Sequence, residues 1–253
     1  MLWAIDVGNT HTVVGLYEGD WKAVWRLATH SGDTEDQIAA TLHQLCSAQG
    51  IEFRAKRVIV GSVVPSANAT WKYFAEKWMG VAPVFLESGD QVDLSITYDP
   101  PRAVGADRIA NALAGIYKYG KPVIVVDFGT ATTFDVVDSE GNYVGGAILP
   151  GVQISMEALA GRAAKLPSIS LAAPDKAIGR NTVDALRSGV MFGYAGAVDA
   201  LAKKIRAELG GVARVIGTGG LAPAFLDLSE EIESVDVNLT LDGLILALNL
   251  IQI

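Results

Sequence analysis

The sequence predicts an α/β protein of two related halves, each opening with a turn suited to holding phosphate. Three observations carry this. The stretch VIVVDFGTATTFDVVD, Val123 to Asp138, runs apolar to Asp127, turns on Gly129 and three threonines, and resumes as alternating apolar residues, the pattern of strand, tight turn and strand. Near the start, LWAIDVGNTHTVVGLYEG, Leu2 to Gly19, has the same construction, with Asp6, Gly8 and Thr10 matching Asp127, Gly129 and either Thr130 or Thr132. Each copy then continues into further short strands, so both halves begin as antiparallel meanders. Two such turns suggest a nucleotide held between the halves.

The chemistry of the turn follows from its residue types. An aspartate at the end of a buried strand is costly unless it meets a partner, a cation or water. The glycine after it lets the backbone turn tightly and lets another group come close. Threonine hydroxyls and free N–H groups can donate to phosphate, whereas a carboxylate can face phosphate only through a cation. One Asp-x-Gly-x-Thr alone would read as an ordinary hairpin turn; the second copy favours nucleotide binding. Neither is a P-loop, because the Gly120-Lys121 pair is followed by Pro122 where a P-loop needs Ser or Thr.

Composition narrows the function. The 253 residues suffice for one large domain or two smaller ones. Half are hydrophobic and 19% charged, a globular balance. With 20 basic against 28 acidic residues, nucleic acid and membrane surfaces are not expected partners, and an anionic substrate must be met by local donors. Mean hydropathy is positive, yet no apolar run approaches the ~18 residues of a spanning helix. The chain reaches Asp6 after a few mostly apolar residues with no basic start, unlike a signal peptide. A single cysteine, Cys46, excludes an internal disulfide and suits a reducing cytosol.

In chain order, Thr12–Tyr17 and Trp21–Leu27 continue the first meander. Thr34 with Gln37 forms a capping-box pattern ahead of a helix with Ile38, Leu42, Leu45 and Cys46 on one face, which makes Cys46 a core residue. Arg57–Val64 reads as a buried strand stopped by Pro65, with Ser66 capping a helix whose aromatics (Trp71, Tyr73, Phe74, Trp78) read as core. Val84–Leu86 is a short strand. In TYDPPRAVGADRIANALAGIY, Pro100-Pro101 stiffens a loop and Gly105 precedes a helix with Ile109, Leu113 and Ile116 on its apolar face. Asp107 and Arg108 then fall in its first turn, beside free N–H groups and the positive dipole end. The same placement would also arise if Asp107 merely favoured the dipole and Arg108 were a solvated neighbour.

In the second half, Glu140-Gly141-Asn142 marks a hairpin between Phe134–Val137 and Tyr143–Leu149. A helix is expected over Ser155–Ala164, then a long one capped by Asn181 or Thr182 and ending at Gly210. Glycines 189, 193 and 196 inside it are costly in a helix and predict close packing against another helix, which could belong to a second copy of the chain. Ala213–Ile216 reads as a strand leading into GTGGLA, Gly217 to Ala222. That run matches the dinucleotide fingerprint, but too little chain follows for a Rossmann sheet, so a glycine turn over adenine or ribose is the better use. Leu239–Ile251 reads as a core helix. His11, His30 and His43 have no metal-ligand spacing, so zinc is not expected.

Taken together, DVGNT at 6–10, GADR at 105–108, DFGTATTFD at 127–135, GGAILPG at 145–151 and IGRNT at 178–182 resemble, in order and spacing, the bacterial type III pantothenate kinases. The match spans nearly the whole chain, and GADR with D-x-GTA-x-T separates this family from sugar kinases, Hsp70 and actin. The resemblance implies the actin, Hsp70, acetate and sugar kinase superfamily fold: two tandem RNase H-like domains, here 1–117 and 118–253, with a nucleotide cleft between them. It implies ATP-dependent phosphorylation of pantothenate to 4'-phosphopantothenate, the first step towards coenzyme A, by a cytoplasmic homodimer that needs Mg²⁺ and a monovalent cation, K⁺ or NH₄⁺.

The motifs also imply roles. Asp6, Val7, Gly8, Asn9, Thr10, His11, Thr12 and Val13 would line the ATP phosphates, with Asp6 near Mg²⁺ through water. Thr130 would touch ATP and Asp127 would hold the monovalent cation. Asp107 would be the general base, and Gly105, Ala106, Asp107 and Arg108 would hold pantothenate. Tyr98 and Thr182 would be further substrate contacts, with a reach from the partner subunit open for Thr182. Alternatives are an accessory ATP-binding protein of the same fold that works by binding a partner, and a kinase for another small hydroxy acid or sugar.

Overall fold

The computed structural model describes residues 1–251 except 31, 163–166 and 168. By contacts the chain divides into two units, one of Met1–Leu94, Asp99–Leu113 and Thr240–Ile253, the other of Ser95–Tyr98 and Ala114–Leu239. Each contains one mixed five-stranded sheet.

In the first unit the sheet comprises β1 (Leu2–Val7), β2 (His11–Tyr17), β3 (Trp21–Ala28), β4 (Arg57–Ser62) and β5 (Val84–Leu86), in the order β3-β2-β1-β4-β5. β1–β2 and β2–β3 are antiparallel, whereas β1–β4 and β4–β5 are parallel. Helices α1 (Glu35–Ala48) and α2 (Asn68–Phe74) cover one face, where Trp3, Ile5, Val7, Leu42 and Phe74 are fully buried and Trp71 nearly so. The Thr34–Gln37 capping box is formed and Cys46 is core; burial pushes the Cys46 thiol pKa up. Ser66 does not cap α2: Pro65–Ala67 forms a 3-10 turn, and Ala67 precedes the helix without a side-chain bond. Of the four aromatics, Trp71 and Phe74 are buried but Tyr73 and Trp78 are exposed, and Trp78 Nε1 donates to Asp36 Oδ1 at 3.0 Å.

The opposite face of this sheet takes α3 (Ala106–Tyr119) and α6 (Leu239–Leu250). Glycines set that approach. A Cβ on Gly61 of β4 would stand 2.9 Å from Leu244 and 3.4 Å from the Ala106 Cβ, and one on Gly243 would overlap the backbone carbonyl of Ala110. Thr240 Oγ1 donates to buried Asn111 Oδ1 at 2.8 Å, and Trp21 Nε1 donates to Asp242 Oδ1 at 2.8 Å. These contacts bring α6 to the first unit, so the contact division departs from a single cut at 117/118, and residues 106–113 and 114–119 of α3 count with different units.

The second sheet repeats the first. It holds β6 (Val123–Phe128), β7 (Ala131–Val137), β8 (Tyr143–Pro150), β9 (Arg214–Thr218) and β10 (Ser234–Val235), in the order β10-β9-β6-β7-β8. Read from its meander edge it has the same sequence of antiparallel, antiparallel, parallel and parallel pairs. Even the irregularities correspond: the register shifts at Leu16/Tyr17 and at Val136/Val137, each beside the far hairpin of its meander. Ile124, Val126, Phe128, Phe134 and Val215 form the core with α4 (Val152–Arg162) and α5 (Thr182–Glu208). Phe128 stacks on Phe225 with centroids 4.9 Å apart. β10 has no sequence signal beyond two residues. The expected start of α4 at Ser155 moves to Val152, and its expected end lies outside the described residues. Asn181 rather than Thr182 caps α5, accepting from the Asp184 N–H at 2.9 Å, and Gly210 follows at φ +86°.

Gly189, Gly193 and Gly196 meet nothing within 4 Å of an added Cβ among the described residues, so none of these residues supplies the close packing expected of them. Gly243 makes it instead. Gly243→Ala is expected to lower the urea midpoint by the equivalent of about 1–3 kcal/mol, the cost of overpacking against backbone; an unchanged midpoint would refute the α3–α6 crossing.

Candidate functional site

Asp6 ends β1 opposite Gly61 of β4 and Val13 of β2. It lies on the face away from Trp3, Ile5 and Val7, because side chains alternate along a strand. Gly8 N–H donates to the His11 carbonyl at 3.0 Å and closes the turn. Asn9, Thr10 and His11 are exposed at its rim, whereas Val7 and Thr12 are buried. Thr12 Oγ1 lies 2.8 Å from Thr29 Oγ1, and Thr29 N–H donates to the Thr10 carbonyl at 3.0 Å. Thr12 therefore braces the turn from beneath, and Val13 is only partly buried.

The Gly105–Arg108 motif stands beside this turn. Val63 N–H extends the β1 pairing by donating to the Val7 carbonyl at 3.0 Å. A Cβ on Gly105 would come within 3.0 Å of the Val63 side chain and 2.5 Å of Asp107 Oδ1, so only glycine leaves the aspartate room. α3 begins at Ala106, against Gly61 and hence against the strand position paired with Asp6. Candidates 6–13 and 105–108 thus gather at the carboxyl ends of parallel strands, the usual ligand edge of an α/β sheet.

Asp107 is partly buried and accepts from the Arg108 N–H at 2.8 Å. Burial raises its pKa above the ordinary carboxylate value; the Arg108 N–H and guanidinium pull it back in part. Arg108 is itself buried. A carboxylate with a raised pKa in a helix's first turn is equipped to take a proton.

In the second unit Gly129 N–H donates to the Ala131 carbonyl at 3.0 Å. The pairing decides which threonine matches Thr10. Asp6 pairs with Val13, seven residues on, and Asp127 with Thr133, six on, so the second turn is one residue shorter. Closure at His11 and at Ala131 then aligns Thr10 with Thr130, both exposed, and Thr12 with Thr132, both buried. Two glycines brace this turn from other strands. Gly151 N–H donates to the Thr130 carbonyl at 3.1 Å, and a Cβ there would overlap that carbonyl. Gly219, at φ +89°, lies so close that a Cβ would stand 2.5 Å from Asp127 Oδ1 and 2.8 Å from the Phe128 backbone. GTGGLA is therefore placed against Asp127, a neighbour the sequence did not reveal, although its glycines were the available signal.

Tyr98 is held elsewhere in this unit. Ser95–Tyr98 runs along the start of β8, with Thr97 N–H donating to the Tyr143 carbonyl at 3.0 Å, and the Tyr98 ring faces Gly145. Gly145 lies five residues from Pro150 on β8, about 17 Å of strand, so Tyr98 and Thr130 do not share a turn. Tyr143 OH donates to the fully buried Asp135 at 3.2 Å, anchoring the strand start that Tyr98 lies on. Thr182 is exposed in the first turn of α5, in a depression formed with Gly179, Arg180, Asn181, Ala185 and Leu186, away from the other candidates of its unit.

Residues 2–204 match the family described as type III pantothenate kinase. The type III pantothenate kinase of Geobacillus sp. (strain WCH70) is 46% identical over 246 residues, covering 96% of this chain and 95% of that one. Among solved structures, a protein of Campylobacter jejuni assigned to the Baf family of transcriptional activators aligns with TM-score 0.63 at 20% identity, covering 98% of this chain and 97% of that one. The ADPNP-bound activator of 2-hydroxyisocaproyl-CoA dehydratase from Clostridium difficile aligns with TM-score 0.51 at 14% identity, covering 97% and 92%. At those identities the two structures establish the fold alone. The sequence match over nearly the full length goes further, and the chain belongs to the type III pantothenate kinase family, ATP-dependent kinases at the first step towards coenzyme A.

Proposed function

We propose that this chain transfers the γ-phosphoryl group of ATP to the primary hydroxyl of pantothenate, giving 4'-phosphopantothenate, with Asp107 as the base. The single observation that carries the role of Asp107 is its position: a carboxylate with a raised pKa in the first turn of α3, beside the Asp6–Gly8 turn. Phosphoryl transfer needs positioning and charge neutralisation more than covalent help from the protein. Asp107 accepts the hydroxyl proton as the oxygen attacks and ADP departs. Gly105 to Arg108 hold pantothenate, with the Arg108 charge near its polar end, and Tyr98 and Thr182 complete the contacts. Asp6 to Val13 and Thr130 hold the nucleotide.

The acidic chain meets two anionic reactants, so cations are needed. The donors around Asp6 are hard oxygens with exposed Asn9 and Thr10 beside them, a set that suits Mg²⁺ shared with phosphate. Asp127, a single hard carboxylate that Gly219 approaches closely, suits a monovalent cation, K⁺ or NH₄⁺. Among the described residues no three His, Cys, Asp or Glu side chains gather, so either cation would draw its remaining donors from neutral oxygens, water and the nucleotide. When bound, the two ions neutralise charge on the phosphates.

A homodimer is part of the proposal. Its support is the exposed first turn of α5 with Thr182 and the open space over Gly189, Gly193 and Gly196. Sedimentation at micromolar concentration should show a dimer, and a monomer there would remove the partner's Thr182 from the scheme. Among the described residues no helix is long and apolar enough to cross a membrane. The partners in the scheme are ATP and pantothenate, without nucleic acid or a membrane.

Asp107→Asn should retain ATP and pantothenate binding by calorimetry while turnover falls about 10²–10⁴-fold, the usual worth of a positioned base; unchanged turnover would exclude Asp107. The same variant tests the pKa. A folded-state pKa above the unfolded value near ~3.9 means that ionised Asp107 weakens the fold once pH rises through its folded pKa. Asp107→Asn should therefore raise Tm at pH 7, with the gain shrinking as pH falls towards the unfolded value. Coupled ADP release with ATP, Mg²⁺ and pantothenate should be higher in K⁺ than in Na⁺ alone, and Asp127→Asn should abolish that difference. Pantothenate-independent ATP binding without turnover in either salt would favour an accessory protein.

A further inference from the structure

We infer that the hydroxyl of Thr218 is a second protein donor at the cation site of Asp127, an inference that rests on the reading of Asp127 given above. The register places it there. β6 and β9 run parallel with Asp127 directly opposite Thr218, and residues paired in this way project to the same face about 5 Å apart. The alternation along both strands identifies that face. Ile124, Val126, Phe128 and Val215 point into the core with α5, and a Cβ on Gly217 would meet Val235, Ile232 and Ala222 on the same side. Asp127 and Thr218 therefore point to the other side, where Val123 and Val125 pack against Gly115 of α3.

On that side Thr218 is 1% exposed, and its Oγ1 is buried with no hydrogen-bond partner among the described residues. A buried hydroxyl left unsatisfied is costly, and such an atom in a native fold points to a bound water or ion. The next residue is fitted closely to the same carboxylate. Gly219, in the left-handed region at φ +89°, stands where a Cβ would come within 2.5 Å of Asp127 Oδ1, so any other residue there would collide with the carboxylate. One charged oxygen and one neutral orphaned oxygen on the same face are hard donors of the kind a weakly hydrated cation takes, its remaining oxygens coming from water or the nucleotide. A methyl-bearing valine of the same shape would pack equally well in an apolar strand end; the hydroxyl has no use there without a bound species.

The test uses the intact enzyme, with and without ADP, and follows Tm against KCl at constant ionic strength balanced by choline chloride. The wild type should gain stability with K⁺, and Asp127→Asn should lose that gain. Thr218→Val should be at least as stable as wild type in choline alone, because it removes an unsatisfied hydroxyl. Its half-saturating K⁺ should rise by about tenfold or more, the loss expected for one oxygen contact to a charge, and Thr218→Ser should restore it. Thr218→Ala repeats the measurement should valine disturb the strand. A K⁺ response within about twofold of wild type in Thr218→Val and Thr218→Ala, with Asp127→Asn unresponsive, would overturn the role of Thr218 and leave that of Asp127 standing. An undiminished response in Asp127→Asn, or a wild type indifferent to K⁺ with and without ADP, would overturn both.

Discussion

A carboxylate at the end of a buried central strand is the constraint on which both halves are built. Asp6 and Asp127 each close the strand that lies third in its five-stranded sheet. Placing a charge there is expensive unless the backbone beyond it opens towards a ligand or water. The fold meets this in two ways at each site. A tight glycine turn follows directly, and a glycine on or just after the neighbouring parallel strand lets another element come close: Gly61, opposite Asp6, admits Leu244 and Ala106, and Gly219, after Thr218, comes against Asp127 itself. The antiparallel meander supplies the turn and the parallel strands supply the close approach. That is why both sheets combine the two pairings.

The same economy of space explains how α3 reaches the site. Gly61 admits Ala106, and Gly105 admits the Asp107 side chain, so a helix N-terminus arrives beside the first turn without a long loop. The dipole and free N–H groups at that end favour anions, which suits an acidic protein with two anionic reactants. They do not fully offset the burial of Asp107, whose pKa stays raised. A buried carboxylate of this kind costs the resting protein stability, and in the proposed reaction that cost would be the counterpart of its use as a base.

Much of this was legible in the chain, because it rests on local chemistry. The duplicated Asp-x-Gly turn, the capping box at Thr34, the core position of Cys46, the first turn of α3 and the end of α5 at Gly210 were each signalled by neighbouring residues. The misreadings arose where a residue's use depends on something distant in sequence. Ser66 looked like a cap, but Pro65 starts a 3-10 turn that uses the cap position differently. Trp78 looked like core, yet its indole serves Asp36 at the surface. The glycine that lets α6 cross α3 also went unsignalled: Gly243 lies in a helix that reads as uniformly apolar.

By itself the sequence determined the strand-turn-strand units, their repetition, the helix that presents Asp107 and Arg108, and the family to which these motifs belong. Each motif is written within about twenty residues, where periodicity and turn chemistry act directly. Tertiary structure decided the rest. Strand register, a property of two strands together, aligned Thr10 with Thr130 and set Thr218 opposite Asp127. Close backbone approach put Gly219 against Asp127, Gly151 against Thr130 and α6 onto α3. Such approaches are decided by the absence of a Cβ on one partner and the position of the other. A single sequence shows only the first of these.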